Sequence, residues 1–363
     1  MDLFSNLFLI PLNYVYRINI FMEKVNAVIT GIASYLPDYI LTNDELSKMV
    51  NTNDEWIMTH IGVRKRHILN EEGLGASYMG RKACKRLLRQ THTNPDDIEL
   101  LICATTTADY RFPSTASILC DKLGLKNAFA YDLWGACSGF LYSLETAANF
   151  IRTGRYKKVI VVAAEKLSSM VDYTDRATCP IFGDGAGAAL VEGTTEDVGV
   201  IDSILRTDGK GLPFLHMKAG GSVCPPSYYT IDNRMHFIYQ EGRAVYKNAV
   251  TQMTDLTLQL MERNGLTKDD IQYVVPHQAN LRIIEAVSKR LELSEEQVLV
   301  NIENVGNTSG ASIPICLCDY EDKLKKGDNI IMTAFGAGFT FGSLYLKWGY
   351  DGKQRVEEVK QNS

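Results

Sequence analysis

A single thiol set among small residues is the most chemically suggestive feature of this sequence. Gly135-Ala136-Cys137-Ser138-Gly139 follows a β-rich run, Asn127 to Leu133, and precedes an apolar helical pattern of Phe140, Leu141, Leu144, Ala147, Ala148 and Ile151. Strand, tight turn and helix, with the thiol where the helix starts, is how a nucleophile is presented. The first backbone N–H groups of a helix lack intrahelical partners, and its macrodipole favours negative charge there. A free thiol titrates near ~8.5, and such a position lowers that value. The spacing therefore predicts a thiolate-prone Cys137, with a buried structural cysteine as the plain alternative.

Three further turns carry reactive types. VPHQANLRII puts His277 at the end of a strand, NVGNTSGAS puts Asn307 at a strand-to-helix turn, and AFGAGFTFG (334–342) can bring backbone N–H groups close to a bound carbonyl. Taken singly, His277 equally fits a satisfied buried histidine, and Asn307 a helix N-cap. Ligands gather at the carboxyl ends of strands in α/β folds, and all four turns fall there. The glycines of FGDGAGA (182–188) lack both the G-K-[ST] and the G-x-G-x-x-G spacing of phosphate loops. They read as close backbone packing behind the Cys137 turn.

The elements that must position these turns occur twice. RLLRQTHTNPDDIELLICATTT (86–107) has a counterpart in LQLMERNGLTKDDIQYVVPHQAN (258–280). Aligning Asp97-Ile98 with Asp270-Ile271 sets an offset of 270 − 97 = 173 residues, which carries Cys137 to Gly310 in the Asn307 turn. Buried strands are expected at Asp97–Thr105 and Lys158–Ala164. A helix bearing Trp56 and His60 on one face is expected after an N-cap at Thr52 or Asn53. The reading is a duplicated α/β fold with an N-terminal half, 24–196, holding the cysteine, and a C-terminal half, 197–350, holding the histidine and asparagine. The stretch 208–240 is the largest irregular insertion, and long loops often cover sites. Residues 351–363 form a polar tail expected to fray. Residues 1–23 are apolar but interrupted by Pro11, Asn13, Arg17 and Asn19, too broken to span a bilayer. They are expected to be a non-native or disordered extension ahead of a true start at Met22.

Composition excludes several classes. A net charge of −5 over 363 residues offers no global basic field for nucleic acid. Eight cysteines without a C-x-x-C pair argue against a zinc site or disulfide framework and for a reducing, cytoplasmic setting. No metal and no membrane association are implied.

Taken together, GACSGF (135–140), DRATCPIFGDGAGA (175–188), VPHQANLRII (275–284), GNTSGAS (306–312) and FGAGFTFG (335–342) resemble β-ketoacyl-[acyl-carrier-protein] synthase III, joined by DEWIMTHIGVRKRHI (54–68) and RFPSTAS (111–117). The resemblance runs from about Val25 to Trp348. It implies the thiolase-like fold, two pseudo-symmetric halves in a layered αβαβα arrangement, and usually a homodimer. It implies a decarboxylating Claisen condensation of an acyl-CoA starter with malonyl-carrier protein through an acyl-Cys137 intermediate, with no permanently bound cofactor. His277 and Asn307 would donate hydrogen bonds to the malonyl enolate. The N–H groups of Cys137 and Ala337 would form the oxyanion hole.

The resemblance also assigns contacts. Trp56 would stack on the CoA adenine, and Gly242 and Asn280 would touch pantetheine. Phe112, at a dimer interface, and Phe335 would border the acyl chain. Two family arginines that meet CoA are replaced here by His60 and Ser169. Arg282, Lys289 and Arg290 form one helical stripe, with Ile284, Val287 and Leu291 opposite. With Lys247 and the adjoining Gln278, Ala279, Asn280 and Leu281, this stripe would dock an acidic acyl carrier protein. Two other readings share the Cys, His, Asn order: a starter condensing enzyme of polyketide or specialised lipid synthesis, and a Cys-His-Asn thioester hydrolase.

Overall fold

A computed structural model describes residues 25–361; the expected extension at 1–23 lies outside the described residues. Nine strands build two main sheets: β1 (Asn26–Tyr35), β2 (Leu100–Ala104), β3 (Phe129–Leu133), β4 (Lys158–Lys166), β5 (Asp184–Thr194), β6 (Gly199–Thr207), β7 (Tyr273–Pro276), β8 (Asn329–Gly336) and β9 (Thr340–Lys347). The first sheet has the order β1-β5-β4-β2-β3, the second β7-β8-β9-β6. In the first, β1–β5 and β5–β4 pair antiparallel while β4–β2 and β2–β3 are parallel. In the second, β6–β9 and β9–β8 are antiparallel and β8–β7 is parallel.

The two sheets are therefore the same ladder built twice, with β6, β9, β8 and β7 standing for β1, β5, β4 and β2. The offset read from sequence recurs: β6 begins 199 − 26 = 173 residues after β1, and β7 begins 273 − 100 = 173 after β2. A parallel bridge from Val274 to Val298 marks the place that β3 fills in the first sheet.

Helices supply the other three layers: α1 (Asp54–His60), α2 (Ala76–Gln90), α3 (Thr115–Leu123), α4 (Gly139–Arg152), α5 (Gly242–Arg263), α6 (Leu281–Arg290) and α7 (Ser312–Asp319). Strands buried on both faces must be apolar throughout, and β2 is: Leu100, Ile102 and Ala104 pack with α4, while Leu101 and Cys103 pack with α2 and α3. The α4 and α7 helices lie between the sheets, with Phe140, Leu144 and Ala148 from one and Ile313, Ile315 and Leu317 from the other in a single core. The outer layer of the second sheet is α5 with α6, through Val245, Met253, Ile283 and Val287. This is the expected five-layer arrangement.

Three local readings change. The FGDGAGA run does not lie behind the Cys137 turn. A Cβ on Gly183 would stand 2.5 Å from Val305 O, and one on Gly187 would stand 2.7 Å from Pro314 of α7, so the run packs behind the Asn307 turn. The 208–240 insertion is not irregular throughout: Leu215–Met217 pairs antiparallel with Ile238–Gln240, with a short helix at Tyr228–Asp232. Nor does the tail fray at once. Residues Gly352–Gln361 form a helix, Gly352 N donates to Leu324 O, and Arg355 donates to Thr30 O and Gln90 O. Tyr350 donates to Glu321 at 2.6 Å beside it.

Removing residues 351–363 deletes the Gly352 and Arg355 bonds and leaves that of Tyr350. With each hydrogen bond contributing ~1 kcal/mol, the truncated chain is expected to unfold at a lower denaturant midpoint, followed by far-UV circular dichroism. An unchanged midpoint would show that the helix adds nothing.

Candidate active site

Cys137 occupies a single 3-10 turn, Ala136–Ser138, between β3 and α4. Ala136 holds φ at +45°, a region that non-glycine residues rarely enter. Its counterpart 309 − 136 = 173 residues on, Ser309, holds φ at +51° in the turn before α7. Both halves thus strain the same backbone position, as functional turns do. The two turns touch because the residues between them are small. A Cβ on Gly310 would sit 3.0 Å from Ala136 O, and one on Gly336 would sit 2.7 Å from Cys137 N. The Ser138 hydroxyl donates to Thr340 O at 3.0 Å and Thr340 Oγ1 donates to Gly135 O at 2.8 Å, tying the cysteine turn to the β8–β9 connection.

His277 ends β7, its N–H donating to Thr333 O on β8 at 2.8 Å. Its ring is 1 % exposed. Nδ1 lies 2.7 Å from the hydroxyl of Ser312, the first residue of α7, and the Gln278 N–H donates to that same oxygen at 3.3 Å. Asn307 is fixed by its backbone, which accepts from Gly183 N and donates to Ile181 O, and its Oδ1 accepts from Ser309 N at 2.8 Å. Its Nδ2 donates to Ala279 O at 3.5 Å, a long bond that uses one of its two N–H groups. Cys137, His277, Asn307 and Ala337 all line one cleft of 1620 Å³.

The charge states differ from the sequence expectation for the thiol. Burial pushes Cys137 up to about 12, with a hydrogen bond from Ser309 acting in the opposite direction. The favourable helix terminus does not outweigh desolvation, in part because α4 proper begins two residues later, at Gly139. Desolvation thus favours the thiol form of Cys137 over the thiolate. Burial also lowers His277 to about 3, so its imidazole is neutral and able to accept a proton. Its Ser312 partner is a hydroxyl that can donate to Nδ1 or accept from it, so either imidazole tautomer is satisfied.

Trp56 lines the cleft, and its ring stacks on His60 at 4.6 Å and 16°. The Arg176 guanidinium stands 4.0 Å from the centre of the same ring, a cation the sequence placed in the DRATCP motif without a role. Asn280 caps α6 through Arg282 N and donates to His60 O; Gly242 opens α5 at the cleft wall. Ser169 is exposed and bonded to Lys166 O. Phe335 lines the cleft and is buried against Phe339 and Phe341. Phe112 is not brought to this cleft: it is 85 % exposed, after Tyr110 and Arg111, which do line it.

The docking set divides. Lys247, Arg282, Lys289 and Arg290 are exposed, and Arg282 lies 5.7 Å over the Tyr246 ring. Ala279 and Leu281 are half-buried, and Leu281 packs with Ile61 and Trp56. Gln278 is a correction. It is 0 % exposed, donates to Pro276 O and Leu299 O, and accepts from Asn301 N and Ile302 N. It braces the interior and cannot meet a partner. The residues that sequence reasoning passed over are Ser309 and Ser312, both inside the quoted GNTSGAS motif, whose spacing from Asn307 puts them at a helix start.

Residues 131–209 match the family described as 3-Oxoacyl-[acyl-carrier-protein (ACP)] synthase III, and residues 261–348 match its C-terminal family. The chain is 73% identical over 333 residues to the beta-ketoacyl-[acyl-carrier-protein] synthase III 2 of Bacteroides thetaiotaomicron, covering 92% of this chain and 99% of that protein. The crystal structure of 3-oxoacyl-[acyl-carrier-protein] synthase III from Aquifex aeolicus superposes with a TM-score of 0.82 at 40% identity, over 89% of this chain and all of that one. The priming beta-ketosynthase of the R1128 polyketide pathway superposes with a TM-score of 0.83 at 31% identity, over 91% and 98%. The fold is thus that of the thiolase-like condensing enzymes. Within that class the chain belongs to the β-ketoacyl-[acyl-carrier-protein] synthase III family, an acyltransferase family, which sets the hydrolase reading aside.

A protonated resting thiol predicts that alkylation of Cys137 by iodoacetamide, followed by peptide mass spectrometry, keeps accelerating beyond pH 9. A plateau above pH 7 would instead reveal a preformed thiolate. Gln278→Ala is expected to lose ~2 kcal/mol or more of folding stability by stranding buried N–H and C=O groups, while leaving carrier-protein affinity unchanged; weakened carrier binding by a stably folded Q278A would return Gln278 to the docking surface.

Proposed function

We propose that this chain catalyses the initiating condensation of fatty-acid synthesis, joining an acyl-CoA starter to malonyl-carrier protein. The observation that carries this is the convergence of Cys137, His277 and Asn307 from both halves on one cleft, with His277 neutral. The Cys137 sulfur attacks the acyl thioester carbonyl as its proton passes to a neutral acceptor, for which His277 Nε2 is the ring nitrogen not engaged by Ser312. The N–H groups of Cys137 and Ala337 take the oxyanion. The tetrahedral intermediate collapses, the C–S bond to CoA breaks, and CoA leaves with the proton, giving acyl-Cys137.

Malonyl-carrier protein then enters. Its carboxylate–carbon bond breaks, carbon dioxide departs, and the electron pair becomes an enolate held by hydrogen bonds from His277 Nε2–H and Asn307 Nδ2–H. The Ser312 hydroxyl matters here, since it lets His277 act as acceptor in one half-reaction and donor in the next. The enolate carbon attacks the acyl-Cys137 carbonyl, the same hole takes the oxyanion, and the cysteine sulfur is expelled. Between half-reactions His277 changes tautomer by exchanging protons with water, and the expelled Cys137 thiolate is reprotonated from water, so each turnover consumes one proton and needs no resident cofactor.

At the mouth, Trp56 with Arg176 offers a stacking platform and a positive charge for the CoA nucleotide, compensating for His60 and Ser169. Gly242 and Asn280 flank the pantetheine path. Arg282, Lys289, Arg290 and Lys247 form the basic face for the acidic carrier. The exposed Phe112 supports a homodimer, in which the partner's aromatic ring reaches an acyl pocket that Phe335 borders from within. The eight unpaired cysteines suit a reducing cytoplasm, and among the described residues no helix is long and apolar enough to cross a membrane.

Asn307→Ala tests the division of labour. Losing one of two enolate donors is expected to slow malonyl decarboxylation ~100-fold or more, while transfer of the acyl group from CoA to Cys137 stays within a few-fold of normal. Equal loss in both half-reactions would place Asn307 elsewhere in the cycle. A paired charge reversal, Arg282→Glu with Lys289→Glu, is expected to raise KM for the carrier substrate at least tenfold and flatten its salt dependence; unchanged KM would move the docking site off this face.

A further inference from the structure

Among the described residues, three charged side chains outside the catalytic set are fully buried: Arg66, Glu165 and Asp184. The two carboxylates sit among amide and hydroxyl donors. Thr106 N, Thr106 Oγ1 and Thr107 Oγ1 donate to Glu165, whose carboxyl burial pushes up to about 7. Leu69 N, Ser168 N and Ser168 Oγ donate to Asp184. Arg66 differs. It lies on the short strand Lys65–His67, paired with Ile40–Thr42, and is 0 % exposed. Its guanidinium donates to neutral oxygens: Leu41 O at 3.1 Å, Asn43 Oδ1 at 2.8 Å and Pro180 O at 3.0 Å. Asp54 stays at one remove, because Asn43 Nδ2 donates to its Oδ1 at 2.7 Å and turns the amide oxygen toward Arg66. A buried charge without a directly paired one is costly, so the three contacts are where its use must be sought.

The contact with Pro180 leads to the active site. Pro180 opens the segment that carries Asn307. Asn307 N donates to Ile181 O at 2.9 Å, and Gly183 N donates to Asn307 O at 3.0 Å, on either side of a bridge between Phe182 and Asn307. The Arg66 stem closes the same corner: a Cβ on Gly183 or on Gly306 would stand 3.2 Å from Arg66 Cβ. The guanidinium thus grips the first residue of the 180–183 segment, while the stem backs onto its last residue and onto the residue before Asn307. The aim of the Asn307 amide follows this backbone. Its Oδ1 is held by the nearby Ser309 N, and its Nδ2 has the long bond to Ala279 O.

We propose that Arg66 is a positioning residue for the enolate-forming half-reaction: through Pro180 and the 180–183 segment it holds the Asn307 backbone, and with it the direction of the Asn307 amide. The Cys137 turn is tied elsewhere, to Thr340 by the Ser138 and Thr340 hydroxyls, so acyl transfer onto the thiol should not feel Arg66.

The proposal rests on Asn307 serving the malonyl enolate, and a double-mutant cycle tests the two claims separately. Arg66→Lys keeps the charge and much of the stem but cannot lay a planar fork across three acceptors. Two rates are measured on the full-length protein: carbon dioxide release from malonyl-carrier protein, and acyl transfer from CoA to Cys137 by intact mass. R66K is expected to slow decarboxylation about 10-fold or more, since small misplacements of a reacting group cost such factors, and to leave acyl transfer within about threefold. Added to Asn307→Ala, it should cost less than about threefold further, because no amide remains to be aimed. Equal slowing of both half-reactions, or the full loss repeated in the N307A background, overturns the proposal. A slow N307A beside a normal R66K overturns it alone, whereas a normal N307A removes the role of Asn307 and this proposal with it. Should R66K not fold by circular dichroism, Arg66→Met, apolar and of similar length, takes its place in the cycle. Failure of both to fold would make Arg66 a folding residue only and is equally contrary.

Discussion

The whole site depends on how closely two helix-starting turns can approach. The α4 and α7 helices run between the sheets, and their first turns meet where Gly310 faces Ala136 O and Gly336 faces Cys137 N. A side chain at Gly310 would press on Ala136 O, and one at Gly336, at the end of β8, would force the Cys137 backbone to shift. Gene-duplication symmetry supplies this contact: the halves place equivalent strained residues, Ala136 and Ser309, on either side of it. One copy of the turn carries Cys137, and the other carries Asn307.

Burial then decides the chemistry. Desolvation keeps His277 neutral and Cys137 protonated, so the site at rest holds little charge and waits for substrate. In the proposed condensation charge would develop where N–H donors are already placed, which lowers a barrier without reorganisation. The Ser312 hydroxyl satisfies either tautomer, as the two roles proposed for His277 require. Sign and window follow for stability as well. His277 is lowered in the folded state, so its contribution is complete above its ordinary value near ~6.5 and is lost as pH falls toward about 3. Glu165 is raised, so its contribution is complete below its ordinary ~4.3 and is lost as pH rises through about 7.

Much of this was legible in the chain itself. The repeat between Asp97-Ile98 and Asp270-Ile271 predicted the strand equivalence, because duplicated ladders need the same apolar strand behind the same polar turn. Cys137, His277 and Asn307 stood out because reactive types sat at strand ends among small residues. Other features were hidden for physical reasons. Gln278 looks like surface by type, yet its amide satisfies four backbone groups that only the tertiary fold buries. The protonation of Cys137 depends on desolvation by the opposite half. Phe112 is exposed away from the cleft, which its place in the sequence next to two cleft-lining residues does not reveal, and the helix at 352–361 is held by Arg355 reaching residues hundreds of positions away.

The most direct measurement is intact-protein mass spectrometry after incubation with a panel of acyl-CoAs, followed by a chase with malonyl-carrier protein. The account predicts an acyl adduct on Cys137, absent in Cys137→Ala, that the chase discharges as a β-ketoacyl-carrier product with loss of carbon dioxide. An adduct that only hydrolyses, or a condensed product formed by Cys137→Ala, would contradict it.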